Sequence, residues 1–209
     1  MNSRKTLYIL LTVLILVALI PTVYALMRRQ SQTVTNTFTP AFVDCEVAET
    51  MGTVTQGTEV YDAKHQVAVK NTGNVEAYIK VQLIFYWRDS KGVAVGRNVE
   101  LPADFTEDYI NTEDGWIDGG NHTYYYKLPI DPEAYTPGLL KRSIVMHPVN
   151  EPYNKVDYIY YPVLEIIAEA IQSVPVSAVQ ESWGVTISNI GTDQNPSYAI
   201  TSPNPPSGS

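Results

Sequence analysis

The chain of 209 residues holds 22 acidic and 14 basic residues, for a formal net charge of −8 at pH 7. This charge argues against binding to nucleic acid or anionic lipid, because both need clustered lysine and arginine. The single cysteine, Cys45, excludes an intrachain disulfide. We interpret it as a buried thiol on a strand, with an intermolecular bridge as the alternative.

The first 25 residues have the pattern of a secretory signal peptide. A short basic region at residues 2–5 precedes an apolar run, Leu7–Ile20. The run lies within the roughly 7–15 residues of a signal-peptide core and below the ~20 that a membrane span needs. Val23 and Ala25 are small enough for a peptidase site. We therefore predict a hydrophobic export helix cleaved between Ala25 and Leu26, with a retained membrane anchor as the alternative.

A polar linker, residues 26–32, leads into a threonine-rich strand that ends at Pro40. The β-branched residues and their alternation favour extended structure. This strand is our candidate for donation to a neighbouring molecule, and it consists of Thr33, Val34, Thr35, Asn36, Thr37, Phe38 and Thr39. We predict a second strand at 41–49, and we interpret Gly52 and Gly57 as turn residues.

The clearest β pattern is "VKNTGNVEAYIKVQLIFYW" at residues 69–87. Every second residue is apolar from Ala77 to Trp87, so one face of this strand is predicted to pack on a core. Val67 and Val69 alternate in the same way, and His65 shares their phase. The Asn71–Asn74 turn between the two runs predicts a tight hairpin in an antiparallel sheet with one solvent-exposed face.

The segment 104–118 holds six acidic residues and no basic ones. Clustered carboxylates suit calcium, but no EF-hand spacing is present. We interpret the segment as a solvated acidic loop with Trp116 tucked in. Further strands are predicted at 122–130 and 139–149.

The segment 156–173 fits both helical and strand spacing, and its tyrosines, its isoleucines and Pro162 favour a strand. A short helix at 175–184 closes at Gly184, and a last strand follows at 185–189. Proline, serine and glycine predict a disordered tail at 191–209.

Together these elements predict an all-β fold. Many short strands separated by turns indicate a jelly-roll-like antiparallel β-sandwich with short helical segments, spanning 33–190 and preceded by the export helix.

The sequence holds none of the common catalytic motifs: HExxH, GxSxG and the glycine-rich nucleotide loops are all missing. His65 is interpreted as a rim or core residue, and His122 and His147 as surface residues. We predict no catalytic, cofactor-binding or metal-binding residues, and no cofactor.

Three segments resemble the camelysin/TasA-like family: "TVTNTFTP" after an export segment, "KNTGNVEAYIKVQLIFYW", and "EIIAEAIQS…AVQESWGV". The resemblance covers roughly residues 7–188. It implies a jelly-roll-like domain on the surface or in the biofilm matrix of Gram-positive bacteria, exported through a SipW-type signal peptidase. Members include fibre subunits whose N-terminal segment donates a strand to the next subunit, while camelysin itself is classed as a metalloprotease.

We therefore expect a secreted, non-catalytic structural subunit of matrix or surface fibres that associates with itself or with other matrix proteins. Its other expected partner is the signal peptidase during export; it would contact a membrane only through residues 1–25 if these are uncleaved. The alternatives are a cell-surface binding or adhesion module and a camelysin-like secreted metalloprotease. For the segment 33–39, pairing within its own sheet is the alternative to donation.

Overall fold

The computed structural model describes residues 40–95, 105–153 and 156–203. Within these ranges one α-helix is present, α1 (Val176–Trp183), together with a 3₁₀ turn at Glu107–Tyr109. In chain order the strands are β1 (Cys45–Gln56), β2 (Glu59–Asn71), β3 (Ala77–Arg88), β4 (Ala94–Val95), β5 (Trp116–Asp118), β6 (Thr123–Tyr126), β7 (Ile144–Met146), β8 (Val149–Tyr153), β9 (Val156–Gln172), β10 (Val185–Asn189) and β11 (Tyr198–Pro203). The predicted all-β class is confirmed for this part of the chain.

The strands form antiparallel sheets. One sheet has the order β1-β2-β7, and a larger one has the order β5-β6-β3-β9-β8 with β4 added to β3. The longest pairing of the larger sheet joins β3 to β9, from Ala77 opposite Gln172 to Arg88 opposite Tyr161. β10 and β11 form a separate hairpin.

The core lies between the two larger sheets. Val67 and Val69 of β2 pack in one cluster with Ile79 and Val81 of β3, and none of the four is exposed. Burying side chains of this size contributes roughly 1.5–3 kcal/mol each. The inward face predicted for β3 is confirmed, because its alternate apolar residues are buried or pack against this cluster.

The predicted hairpin at residues 71–74 is wrong. β2 pairs with β1 and β7, whereas β3 pairs with β4, β6 and β9, so the turn carries the chain from one sheet to the other. The side chain of Asn71 holds this crossover. Its Nδ2 donates to the carbonyl oxygens of Val75 and Ile130, both at 2.8 Å, and its Oδ1 accepts from the Gly73 N–H at 3.0 Å.

The outer face of the larger sheet is partly covered, which corrects the expectation of one solvent-exposed face. Tyr78 points to this face and is fully buried in a second cluster with Val179 of α1 and Ile200 of β11. Its hydroxyl donates to the Tyr198 carbonyl at 2.9 Å. The expectation of a disordered tail from residue 191 is therefore wrong for β11, which pairs with β10 and helps to build this cluster.

Several other predicted elements agree with the structure in part. The ambiguous segment 156–173 is a strand, the short helix is present, and Gly184 caps it with a left-handed backbone (φ 61°). The strands observed within the predicted ranges 122–130 and 139–149 are shorter, namely β6 (Thr123–Tyr126) and β7 (Ile144–Met146). Gly52 lies inside β1 and not at a turn. The position requires a glycine because a Cβ there would overlap the His65 ring.

We expect Asn71→Ala to lower the free energy of unfolding by about 2–4 kcal/mol, because it removes three buried hydrogen bonds and leaves two carbonyl groups without the amide donor. Urea unfolding would measure the change. Asn71→Asp is the matched variant, since it keeps the acceptor for Gly73 and loses both donors. A loss within about 0.5 kcal/mol for the alanine variant, the range typical of surface changes, would contradict the role of this amide.

Burial, and next the charge of Glu76, raise the pKa of Tyr78 to about 12. A phenol whose folded pKa exceeds its unfolded value of about 10 stabilises the fold fully below pH 10, and this contribution is lost as the pH rises through 12. We expect unfolding free energies, measured from pH 9 to 11.5, to fall more steeply for the wild type than for Tyr78→Phe. Equal slopes would count against this assignment, and Tyr135→Phe, at an exposed tyrosine, controls for loss of a phenol.

Candidate functional site

The residues predicted to carry function lie largely outside the described ranges. These are the cleavage position Ala25–Leu26 and the candidate donor strand Thr33–Thr39. The segment predicted to form an export helix, residues 1–25, also lies outside the described ranges. Among the described residues, no helix is long and apolar enough to cross a membrane.

The structure does not bring the three histidines together. They lie in three separate surroundings: His65 bonds the Ser143 hydroxyl (2.6 Å), His122 packs on Phe85 (ring centroids 5.6 Å apart), and His147 packs on Tyr61 (4.5 Å). Within residues 40–95, 105–153 and 156–203, no three His, Cys, Asp or Glu side chains are placed to hold a metal ion. This part of the chain adds no support for the metalloprotease alternative.

The feature with most functional potential is one side of the sandwich, which we call the β1–β9 flank. It is formed by β1 and by residues Tyr161–Gln172 of β9, which lie next to each other. In the described part of the chain, β1 pairs only with β2, and this stretch of β9 pairs only with β3. Among the described residues, neither strand therefore has a second partner strand on this flank, and of its edge groups the Leu164 carbonyl accepts from Lys64.

Apolar side chains run along this flank without being fully covered. Five half-buried residues pack against the core from its two strands: Cys45, Val47, Ile166, Ala168 and Ala170. Burial raises the pKa of the Cys45 thiol, and the charges of Asp44 and Glu169 raise it further. We call this end of the flank the Asn71 end, because Cys45 pairs with Asn71 there.

At the opposite end, the register of β2 changes. Thr50 pairs with Gln66 and Met51 with Lys64, so His65 is an extra residue, a β-bulge. Because side chains alternate along a strand, the bulge turns Lys64 toward the core and leaves His65 on the outer surface over Gly52. The phase shared by His65 and Val67 in the sequence is misleading for this reason.

Lys64 is almost fully buried, with its side chain 4% exposed. Its Nζ donates to Glu49 Oε2 at 2.6 Å and, across the flank, to the Leu164 carbonyl at 3.0 Å. A buried ammonium is tolerated only when it is paired, and these two acceptors satisfy two of its three donors. The side chain thus ties β2 to both β1 and β9.

Beside Lys64 the flank opens into a cleft of about 500 Å³. The cleft lies at the end of the sandwich that carries the β1–β2 turn at Gly57, which we call the Gly57 end. Seven large apolar side chains line it: Met51, Val60, Tyr61, Met146, Tyr161, Val163 and Leu164. Four charged residues also contribute to it: Glu49, Asp62, Lys64 and Arg88. Its size and mixed lining are those of a site that binds a small ligand or a few side chains.

Neither the burial of Lys64 nor the cleft was predicted from the sequence. Two successive polar residues, His65 and Gln66, interrupt the alternation of β2 and are the local sign of a bulge. The cleft has no local sign, because its lining comes from five strands or their ends.

Comparison with protein-family models, with curated proteins and with solved structures gave no match to this chain. The resemblance to the camelysin/TasA-like family therefore stays a prediction from the quoted segments.

We expect an asymmetric response to breaking the ion pair. Glu49→Leu should lower the free energy of unfolding by about 1–3 kcal/mol, because Lys64 is left buried and unpaired. Lys64→Met should lower it less, since Glu49 is 30% exposed and water can solvate it. The double variant should lie within about 1 kcal/mol of the wild type.

Urea unfolding of the four proteins gives the required cycle. Equal losses for the two single variants, or a double variant as unstable as their sum, would show that the pair is not coupled in this way.

Proposed function

We propose that this protein is a secreted, non-catalytic structural subunit of extracellular matrix or surface fibres. Residues 1–25 direct its export, and the mature chain assembles by donating the strand Thr33–Thr39 to a neighbouring copy. The receiving body is a jelly-roll-like sandwich. The single observation that carries the proposal is the β1–β9 flank, where, among the described residues, two strands that lack a second partner strand and an apolar row lie side by side.

A free strand edge is a template for another strand. Backbone hydrogen bonds supply the affinity of such an addition, and alternate side chains entering pockets supply its register. The flank offers both the strand edges and the apolar contacts that such an addition needs. In the described part of the chain, β1 and this stretch of β9 lack a second partner strand, and a further strand would cover the half-buried side chains between them.

The segment 33–39 has the chemistry of such a strand. Val34 and Phe38 fall on one face, and four threonines fall on the other. Threonine favours extended backbone and keeps the exposed face polar. The preceding linker carries Arg28 and Arg29 and no acidic residue, which suits an acidic partner surface on a chain of net charge −8.

Donation of this kind propagates. The donor and acceptor are different surfaces of the same molecule, so the contact is heterologous and each added copy brings a new free acceptor. Such contacts generate filaments when the rotation between copies does not close a ring.

A second candidate is a cell-surface binding or adhesion module, which the cleft of about 500 Å³ favours. In that case the cleft would hold a ligand from outside, and the exported chain would remain monomeric.

We expect the double variant Asn36→Pro/Thr37→Pro to raise the concentration needed for filament assembly at least about tenfold. Proline removes a ladder donor, an acceptor left unsatisfied costs about 1–3 kcal/mol, and 1.4 kcal/mol is a factor of ten. Neighbouring residues direct their N–H groups to opposite edges, so the pairing edge loses a donor in either orientation. Electron microscopy and sedimentation of the exported protein would measure assembly.

The matched control is Gln30→Pro/Ser31→Pro, which places the same two prolines in the linker and should leave assembly unchanged. Monomers from the wild type under all concentrations and pH values would reject fibre formation and favour the binding module. Filaments from the Asn36→Pro/Thr37→Pro protein would show that assembly uses another surface.

A further inference from the structure

The β1–β9 flank is not uniform along its length. At the Asn71 end, side chains of both strands, among them Cys45 and Ala170, pack against the core, whereas at the Gly57 end residues of both strands line the cleft. Among the described residues, the opening that this flank offers to an approaching strand is therefore the cleft at the Gly57 end. The cleft is larger than a single phenyl ring requires, and tyrosine and methionine side chains line it.

The candidate donor contains one side chain suited to this opening. Phe38 is the only aromatic residue in 26–39, and Val34 is the other large apolar residue of its strand. Aromatic and thioether groups pack favourably on a phenyl ring, and full burial of a phenylalanine contributes more than burial of a valine.

Phe38 cannot occupy the cleft of its own molecule. Phe42 is held at the Asn71 end, because its N–H donates to the Asn74 side chain (2.8 Å) and its carbonyl accepts from the Asn74 N–H (3.2 Å). Four residues separate Phe38 from Phe42 and span at most about 14 Å. The cleft begins at Glu49, seven residues along the extended chain from Phe42, or about 23 Å away.

The same short connection sets the direction of donation. Since Phe38 stays within about 14 Å of Phe42 of its own body, it must enter the part of the acceptor nearest to that body. In a filament whose copies follow one another end to end, the Asn71 end of the donor meets the Gly57 end of the acceptor. Phe38 then arrives at the cleft, and Val34 lies further toward the acceptor's Asn71 end.

We infer, on the basis of the proposed strand donation, that Phe38 of one copy fills the cleft beside Lys64 of the next copy, with the donated strand antiparallel to β9. The occupant is a second copy of this chain. The cleft thereby fixes both the register and the polarity of the filament, and the buried Lys64–Glu49 pair forms its floor next to Leu164.

Cysteine pairing between two separately prepared proteins tests this placement. Both carry Cys45→Ser; the donor adds Phe38→Cys, and the acceptor adds Met51→Cys, Thr50→Cys or Val47→Cys. Met51 lines the cleft and is 55% exposed, so its replacement spares the core. Thr50 faces the opposite side of β1, and Val47 lies near the Asn71 end.

After mixing under an added thiol oxidant, disulfide-linked dimers are counted on a non-reducing gel. We expect Met51→Cys to give at least about tenfold more dimer than Thr50→Cys or Val47→Cys, because a disulfide needs Cα atoms within about 7 Å. Filaments with preferential linkage to Val47→Cys would overturn the inference while leaving strand donation intact. Absence of filaments from the wild-type protein, together with absence of linked dimers from all three acceptors, would overturn the proposed function as well.

A second measurement uses no cysteine. Met51→Trp fills the cleft and should suppress assembly, whereas Thr50→Trp, on the opposite face, should not; circular dichroism would establish that both are folded. Filaments from Met51→Trp at the wild-type concentration would reject the cleft as the acceptor of Phe38, whatever the outcome for the donor strand.

Discussion

The buried amide of Asn71 is the constraint on which the architecture depends. It lies where β2 ends and binds the carbonyl group of Val75 within the crossover and that of Ile130 in the loop after β6. These bonds make the chain leave one sheet and begin the other. β2 and β3 therefore face each other across the core and do not lie side by side in one sheet. Everything inside the sandwich follows from this arrangement, because the apolar faces of both strands then meet.

The crossover also determines where the molecule is open. With β2 and β3 in different sheets, β1 becomes an edge strand of the smaller sheet, and the long β9 lies next to it in the larger one. β8 covers β9 only from Val156 to Tyr160. The result, in the described part of the chain, is a flank along which neither β1 nor residues Tyr161–Gln172 of β9 has a second partner strand, and Lys64 crosses it near the cleft.

The bulge at His65 is a second constraint on the positions of the strands. It turns a lysine inward, and a buried lysine is stable only with partners, which here come from Glu49 and Leu164. A side chain that binds both neighbouring strands holds them in position and leaves space beside it. The functional hypotheses depend on that space as much as on the free strand edges.

Part of this could be predicted from the sequence. The alternation in β3 identified its inward face, and tyrosine, isoleucine and Pro162 identified β9 as a strand, because these signals are local and act within a few residues. The hairpin prediction failed because a turn rich in asparagine and glycine, here Asn71–Asn74, has the same local sequence pattern in a hairpin and in a crossover. The tail prediction failed because β11 is stabilised by contacts with Tyr78 and α1 and not by its own composition.

The sequence by itself therefore determined the all-β class, the inward face of the central strand, the short helix with its glycine cap and the lack of common catalytic motifs. Only the tertiary structure decided which strands pair, that Tyr78 is buried, that Lys64 points inward and that β1 and β9 share a flank with a cleft. The physical reason is that strand pairing and burial depend on partners far away in the chain. β3 ends at Arg88 and β9 begins at Val156, so 67 residues lie between them, and no local pattern specifies that choice.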